Sequence, residues 1–242
     1  MKRESTRDAS VLDAPHAHSV AGASIPTALK TVRDTPVRLF HFALIGLLPL
    51  AWWTYEIDRV DLHIQVGYVI LTLLFWRLMW GFTGSETARF STMVRAVHGL
   101  PEQLRTMGKR GGEHPAGYGA LGSLAIIGFL SLLTVQALLG LFSQDNPQMT
   151  GPLANYVPAE VSKAITDWHD WIFFSVIVPV VVIHAAAALY HHVWKRDPIV
   201  SAMVTGKKPV AGPAPALGSP RMALTCLVIA AGTVAAIAML RI

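Results

Sequence analysis

Five apolar runs, at roughly 38–56, 63–83, 118–142, 168–194 and 220–240, alternate along this chain with polar and basic segments. Each is close to the length of about 20 residues that an α-helix needs to cross the hydrocarbon of a bilayer. Pro36 suits the first turn of the first helix, with Asp34 or Thr35 as its cap. Pro49 and Pro179 fall inside runs, where a kink is tolerated if neighbouring groups re-satisfy the freed backbone. The pattern predicts an all-α integral membrane protein. Its division is a disordered tail over 1–35, a four-helix transmembrane bundle over 36–208, a Pro-, Ala- and Gly-rich linker over 209–219 and a fifth transmembrane helix over 220–242. The fifth run has small residues and no ionisable side chain in its middle, which suits an anchor or a packing surface. The stretch before Leu39 has neither the apolar segment nor the cleavage site of a secretory signal, so insertion is expected to proceed through the helices themselves.

Composition agrees with lipid as the solvent: 52% of the 242 residues are hydrophobic and only 14% charged. The formal charge of +5 would suggest nucleic acid if the basic residues formed one patch on a soluble domain. They lie instead in the gaps between runs, so no nucleic-acid partner is expected. Lys30, Arg33, Arg38, the loop from Arg89 to Arg110, and the stretch from Lys195 to Lys208 hold most of them, while the two alternate loops hold only Arg59 and Lys163. By the positive-inside rule the amino terminus is cytoplasmic and the carboxyl terminus outside, in the inner membrane of a bacterium. The single cysteine, Cys226, excludes an internal disulfide and the Cys-x-x-Cys-His attachment of a c-type haem.

The histidines carry the chemistry. Ionisable side chains at membrane depth are costly and mark functional sites. His41 lies just inside the cytoplasmic end of the first run, His63 and His169 follow the outer boundary of the second and fourth, and His184 lies well inside the fourth. Depth sorts them into pairs. Asp61 and Asp167 mark the water beside His63 and His169, so these two reach one level. From His169 to His184 the helix rises about 22 Å, and to His191 about 33 Å; from His41 to the outer end of its own run it rises about 21 Å. His184 is therefore the partner of His41, and His191 and His192 belong at the membrane edge.

Imidazole suits iron, copper and zinc, and a haem iron takes two axial ligands on one line through the macrocycle, one from each of two helices. Two histidines per iron leave no open coordination position, which favours electron transfer over oxygen activation. Two such sites would stack across the bilayer, each with propionates that need polar or cationic partners. Arg77 rises about 21 Å above His63 to the level of His41 and is either a partner for an inner propionate or a side chain that snorkels to the cytoplasmic interface. Arg38 and Arg89 are weaker candidates, because the positive-inside bias already explains them. Gly67, one turn from His63, leaves room for a flat ring.

These residues resemble the bacterial cytochrome b561 family and the related b-type cytochrome subunit of nickel-iron hydrogenases, over about Pro36 to Lys208. The resemblance rests on Val37-Arg38-Leu39-Phe40-His41, Leu62-His63 with Gly67-Tyr68, Arg77-Leu78-Met79-Trp80-Gly81-Phe82, Ala88-Arg89-Phe90-Ser91, His114-Pro115-Ala116-Gly117, Trp168-His169-Asp170, the run His184 to His191, and Met203-Val204-Thr205-Gly206-Lys207. It implies a four-helix cytochrome with two haem b groups, ligated by His41, His63, His169 and His184. It further implies that electrons pass between membrane quinone and a dehydrogenase, hydrogenase or soluble cytochrome. Phe42, where members often have tryptophan, and the fifth span depart from the family pattern. His191 is read as a water-facing side chain at the membrane edge, with a quinone or proton contact as the alternative, and His98 and His114 are read as loop residues. The competing expectation from a different class is a haem-free transporter in which the same histidines relay protons or bind a metal.

Overall fold

The computed structural model describes residues 28–108, 117–145, 150–210 and 213–240. The tail histidines His16 and His18, and the loop histidine His114, lie outside them. Five helical segments among the described residues are long and apolar enough to cross a membrane: α1 (Thr35–Glu56), α2 (Val60–Thr83), α5 (Ala120–Phe142), a continuous segment over Ala159–Val193, and α9 (Pro220–Ala238). The fourth consists of α6 (Ala159–Ile172), a π turn (Phe173–Ile177) and α7 (Val178–Val193). Between α2 and α5 lie the short helices α3 (Phe90–Val97) and α4 (Leu100–Arg105). Helix α8 (Ile199–Thr205) follows α7, and a strand β1 (Ala28–Thr31) pairs antiparallel with β2 (Lys207–Val210), from Ala28↔Val210 to Thr31↔Lys207. The protein is an all-α membrane bundle, and among the described residues it carries this one small sheet at one end. We call the sheet end the inner end, after the orientation that the basic residues imply.

The fourth segment starts nine residues before the apolar run that marks it. Its 35 residues extend about 52 Å, against about 30 Å of hydrocarbon, so its first turns project beyond the apolar layer. The exposed ion pair of Lys163 with Asp167, at 3.5 Å, sits on that projecting part. The π turn has a local cause. Pro179 has no N–H and its ring crowds the carbonyl of Ser175 four residues back; the wider turn just before it, closed by Val178 N–H to the Phe173 carbonyl, absorbs the conflict.

Leu44, Ile70, Leu74, Leu130, Leu133 and Ile177 join α1, α2, α5 and the π turn in one apolar core. A second core sets the small residues Ala223, Cys226 and Ala230 of α9 against Trp76 and Trp80 of α2. The indole N–H of Trp76 donates to the Ala223 carbonyl at 3.0 Å, satisfying a donor that lipid cannot. The fifth helix is thus docked on the second. The segment leading to it, which the sequence reads as a linker, is tied down at Ala216 by two hydrogen bonds with Glu86, and a side chain at Gly218 would meet the Trp80 ring. Likewise the last residues of the stretch read as a tail are ordered in β1. Asp34 caps α1 by accepting Val37 N–H at 3.0 Å.

The sheet closes on Gly206, which sits at φ +79° after α8. A Cβ there would stand 3.0 Å from the Arg33 carbonyl and 3.1 Å from Arg38 Nη1, so both the left-handed backbone and the close approach require glycine. Beside it, Lys208 and Asp197 form a buried ion pair at 2.8 Å.

Candidate functional site

Imidazoles from facing helices pair at two levels; His41, His63 and His169 are half-buried and His184 is exposed. At the outer level the rings of His63 and His169 stand 6.5 Å apart, centre to centre, and 85° to one another. At the inner level His41 and His184 also stand 6.5 Å apart, at 59°. Two imidazoles bound to opposite sides of one metal ion, through bonds of about 2.0–2.1 Å and with about 1.1 Å from nitrogen to ring centre, would be about 6.3 Å apart. Both pairs have the spacing that axial ligation needs. Among the described residues no three His, Cys, Asp or Glu side chains gather as a metal site, so the donor set on each level is a pair suited to a metal that brings its own equatorial ligands.

The outer pair is oriented by backbone. His63 Nδ1 lies 2.8 Å from the Ala51 carbonyl of α1, and His169 Nδ1 lies 3.0 Å from the Gln136 carbonyl of α5. A carbonyl oxygen only accepts, so in each ring Nδ1 carries the proton and Nε2 keeps its lone pair for a metal. This is the arrangement that fixes the tautomer of metal-binding histidines. The two rings line a mostly apolar cavity that encloses about 1220 Å³ of atom-free space, counting what is open to the outside. Gly67 and Gly140 also line it. A Cβ on Gly67 would meet nothing within 4 Å, whereas one on Gly140 would come 3.2 Å from His169 Cε1. Tyr55, Asp145 and Asp170 give the cavity a polar rim.

The inner pair is held differently. Phe129 of α5 presses edge-on against His184, ring centres 5.0 Å apart, and His41 Nδ1 is buried with no hydrogen-bond partner among the described residues. Helix α7 contains no buried residue, so aromatic and imidazole rings carry its contact with α1 and α5 at this level. The π turn lies between His169 and His184. By taking up one extra residue it rotates α7 by about 100° relative to an uninterrupted α-helix.

The remaining predicted residues divide. Arg77 is only 2% exposed, so its guanidinium does not reach out to the interface. Nη2 donates to the Ala88 carbonyl at 3.3 Å, the group lies 5.7 Å from the centre of the Phe90 ring, and Nη1 is buried without a partner among the described residues. Arg38 donates from Nε to the Met203 carbonyl at 2.8 Å and from Nη2 to that of Val204, capping the end of α8. Arg89 donates to the Gly84 carbonyl at 2.9 Å at the end of α2. His98 is exposed beside the Arg95 carbonyl. His191 stacks edge-on with Tyr190, 5.8 Å away. Gln136, hydrogen-bonded to His169, and Gly140, close against its ring, were not among the predicted residues; a lone carboxamide at membrane depth in the third run is a signal that could have found the first.

Fold and site together define a multi-span helical membrane protein whose bundle presents two stacked pairs of imidazoles. A family model for prokaryotic cytochrome b561 matches residues 32–206, and the chain belongs to that family. Membership makes it a b-type cytochrome that carries electrons within the membrane, and leaves the haem-free transporter without support. The comparisons with curated proteins and with solved structures each found no match.

Proposed function

We propose that the chain moves electrons across the bacterial inner membrane through two b haems, one ligated by His63 and His169 and the other by His41 and His184. The observation that carries this reading is the common 6.5 Å separation of the two ring pairs, on two levels about 22 Å apart along the fourth segment. A haem bound at each pair would supply one-electron redox chemistry. The protein's part is to hold each ring on axis, to keep a third ligand away and to surround the macrocycle with low-dielectric walls. At the outer level the Ala51 and Gln136 carbonyls hold the two rings with Nε2 directed into the cavity, while Gly67 leaves a flat face open. At the inner level Arg77 offers a buried donor, Nη1, to a propionate. Arg38, with Nε and Nη2 engaged on α8, has Nη1 left for such a contact.

Quinone is the membrane-soluble partner on this reading, and a dehydrogenase, hydrogenase or soluble cytochrome is the partner at the surface. The clustering of Lys and Arg in alternate loops supports a cytoplasmic amino terminus. The test is an absorption spectrum of the purified protein with a pyridine haemochrome count. About two protohaems per chain are expected for paired bis-histidine sites. A chain that stays colourless when expressed with ample haem overturns the proposal, and a ratio of one removes a site from it.

A further inference from the structure

Helix α5 contributes no histidine, yet it holds the outer site from two directions. The backbone carbonyl of Gln136 accepts His169 Nδ1–H at 3.0 Å, and the side chain of the same residue returns a hydrogen bond, Nε2–H to the His169 carbonyl at 2.9 Å. The carboxamide cannot be turned round. Reversed, it would set Oε1 against a carbonyl oxygen, two acceptors with no proton between them.

A polar side chain at 8% exposure in the middle of an apolar helix is costly unless it is bonded. Its Oε1 has no partner among the described residues, so the bond to His169 is what offsets that cost. The His169 carbonyl is open to it because the helix is changing its period. Phe173 N–H, the helical donor, is divided between the carbonyls of His169 and Asp170 as the segment enters the π turn. Just before that turn, Gln136 adds a second donor to the His169 carbonyl. One turn along α5, Gly140 leaves the ring its place, with a would-be Cβ 3.2 Å from Cε1. His63 is held by the Ala51 carbonyl, and among the described residues no side chain bonds to its own backbone.

We infer that Gln136 is a positioning residue for the outer haem: its carboxamide clamps the His169 backbone so that Nε2 stays on the axis shared with His63. The inference rests on the haem reading proposed above and adds to it a residue that touches no haem. When the carboxamide is removed, the His169 Nδ1–H bond lengthens, the ring becomes a poorer donor, and the ferric iron loses support relative to the ferrous. The outer haem is then held less tightly, by roughly 10- to 100-fold on the scale seen for outer-shell partners of metal ligands, and its midpoint potential rises.

The experiment uses the full chain in detergent with Gln136→Leu, and with Gln136→Met as the second, more pliant variant lacking the donor. Haem transfer to excess apomyoglobin, a redox titration and the low-spin ferric resonances are followed; the outer haem is identified as the signal missing from His63→Ala. The expected result is faster loss, a raised potential and a shifted resonance for the outer haem, with the inner haem unchanged. Outer-haem retention and resonances equal to those of the unaltered chain overturn the inference, as does a fall in melting temperature with both haem signals unmoved. If neither variant assembles with its inner haem, Gln136 is a packing residue and the inference falls. An unaltered chain without haem defeats the earlier reading instead, which separates the two failures.

Discussion

Asp34 accepts the indole N–H of Trp80 at 2.9 Å, across the whole of α1 and α2. The same oxygen accepts the Ser85 hydroxyl, and the other carboxylate oxygen caps α1 at Val37. One buried carboxylate therefore fixes the start of the helix bearing His41 against the end of the helix bearing His63. Asp34→Ala removes a cap worth about 1 kcal/mol and leaves two donors without an acceptor, each costing about 1–3 kcal/mol where it stays dry. The expected loss is about 3 kcal/mol or more, read as a lowered melting temperature in detergent by circular dichroism. Asp34→Asn, which keeps an acceptor oxygen, should fall between the two.

Gly140 gives a graded test of the outer level. A methyl group there meets His169 Cε1 at 3.2 Å, a contact the ring can relieve by moving a few tenths of an ångström, so Gly140→Ala should keep its haem with a shifted spectrum. Gly140→Leu adds bulk to a place the ring already fills, and overpacking of this kind costs about 1–3 kcal/mol. It should displace His169 and lower the haemochrome count from about two to about one per chain. A full count in Gly140→Leu would show that His169 does not ligate.

The sequence made the spans legible because lipid leaves little choice: about 20 apolar residues form a helix that crosses. Helical rise then ranked His184 over His191 as the partner of His41, and the structure brings the rings of His41 and His184 together. Hydropathy did not reveal the beginning of the fourth segment, because Glu160, Lys163 and Asp167 break the apolar run there and that part lies beyond the apolar layer. Nor did it reveal the strands, four residues each and far apart in the chain, with pairing that no local pattern encodes. The dock of α9 was hidden for a related reason. Small residues serve an anchor and a packing face alike, and the Trp76 bond to Ala223 is a contact between distant segments. Gln136 was visible in principle, as an amide at membrane depth, but its role depends on a π turn that Pro179 imposes on another helix.

The dock of α9 on α2 can be tested covalently. Thr83 Oγ1 lies 3.7 Å from Sγ of Cys226, the single cysteine of the chain. A cysteine in place of Thr83 would bring two sulfurs within reach of a bond with little backbone movement. Thr83→Cys is expected to lose both free thiols on mild oxidation. After cleavage between residues 213 and 219, its fifth helix should remain attached until reductant is added. If the oxidised protein separates into two pieces without reductant, α9 does not rest on α2 in the membrane-embedded protein.

The pairing of the histidines makes a prediction about additivity that single substitutions cannot. Two residues that hold one group form a unit, and removing the second costs little once the first is gone, whereas residues serving separate groups add. His41→Ala and His184→Ala should each abolish the inner haem, and the double variant should look like either single one, with about one haem per chain. His63→Ala and His169→Ala should behave alike at the outer level. The crossed double variant, His41→Ala with His169→Ala, should have none. Haemochrome counts and low-spin resonances on the six proteins decide it, since a different pairing, His41 with His169 or His63 with His184, reverses which double variants keep one haem and which keep none.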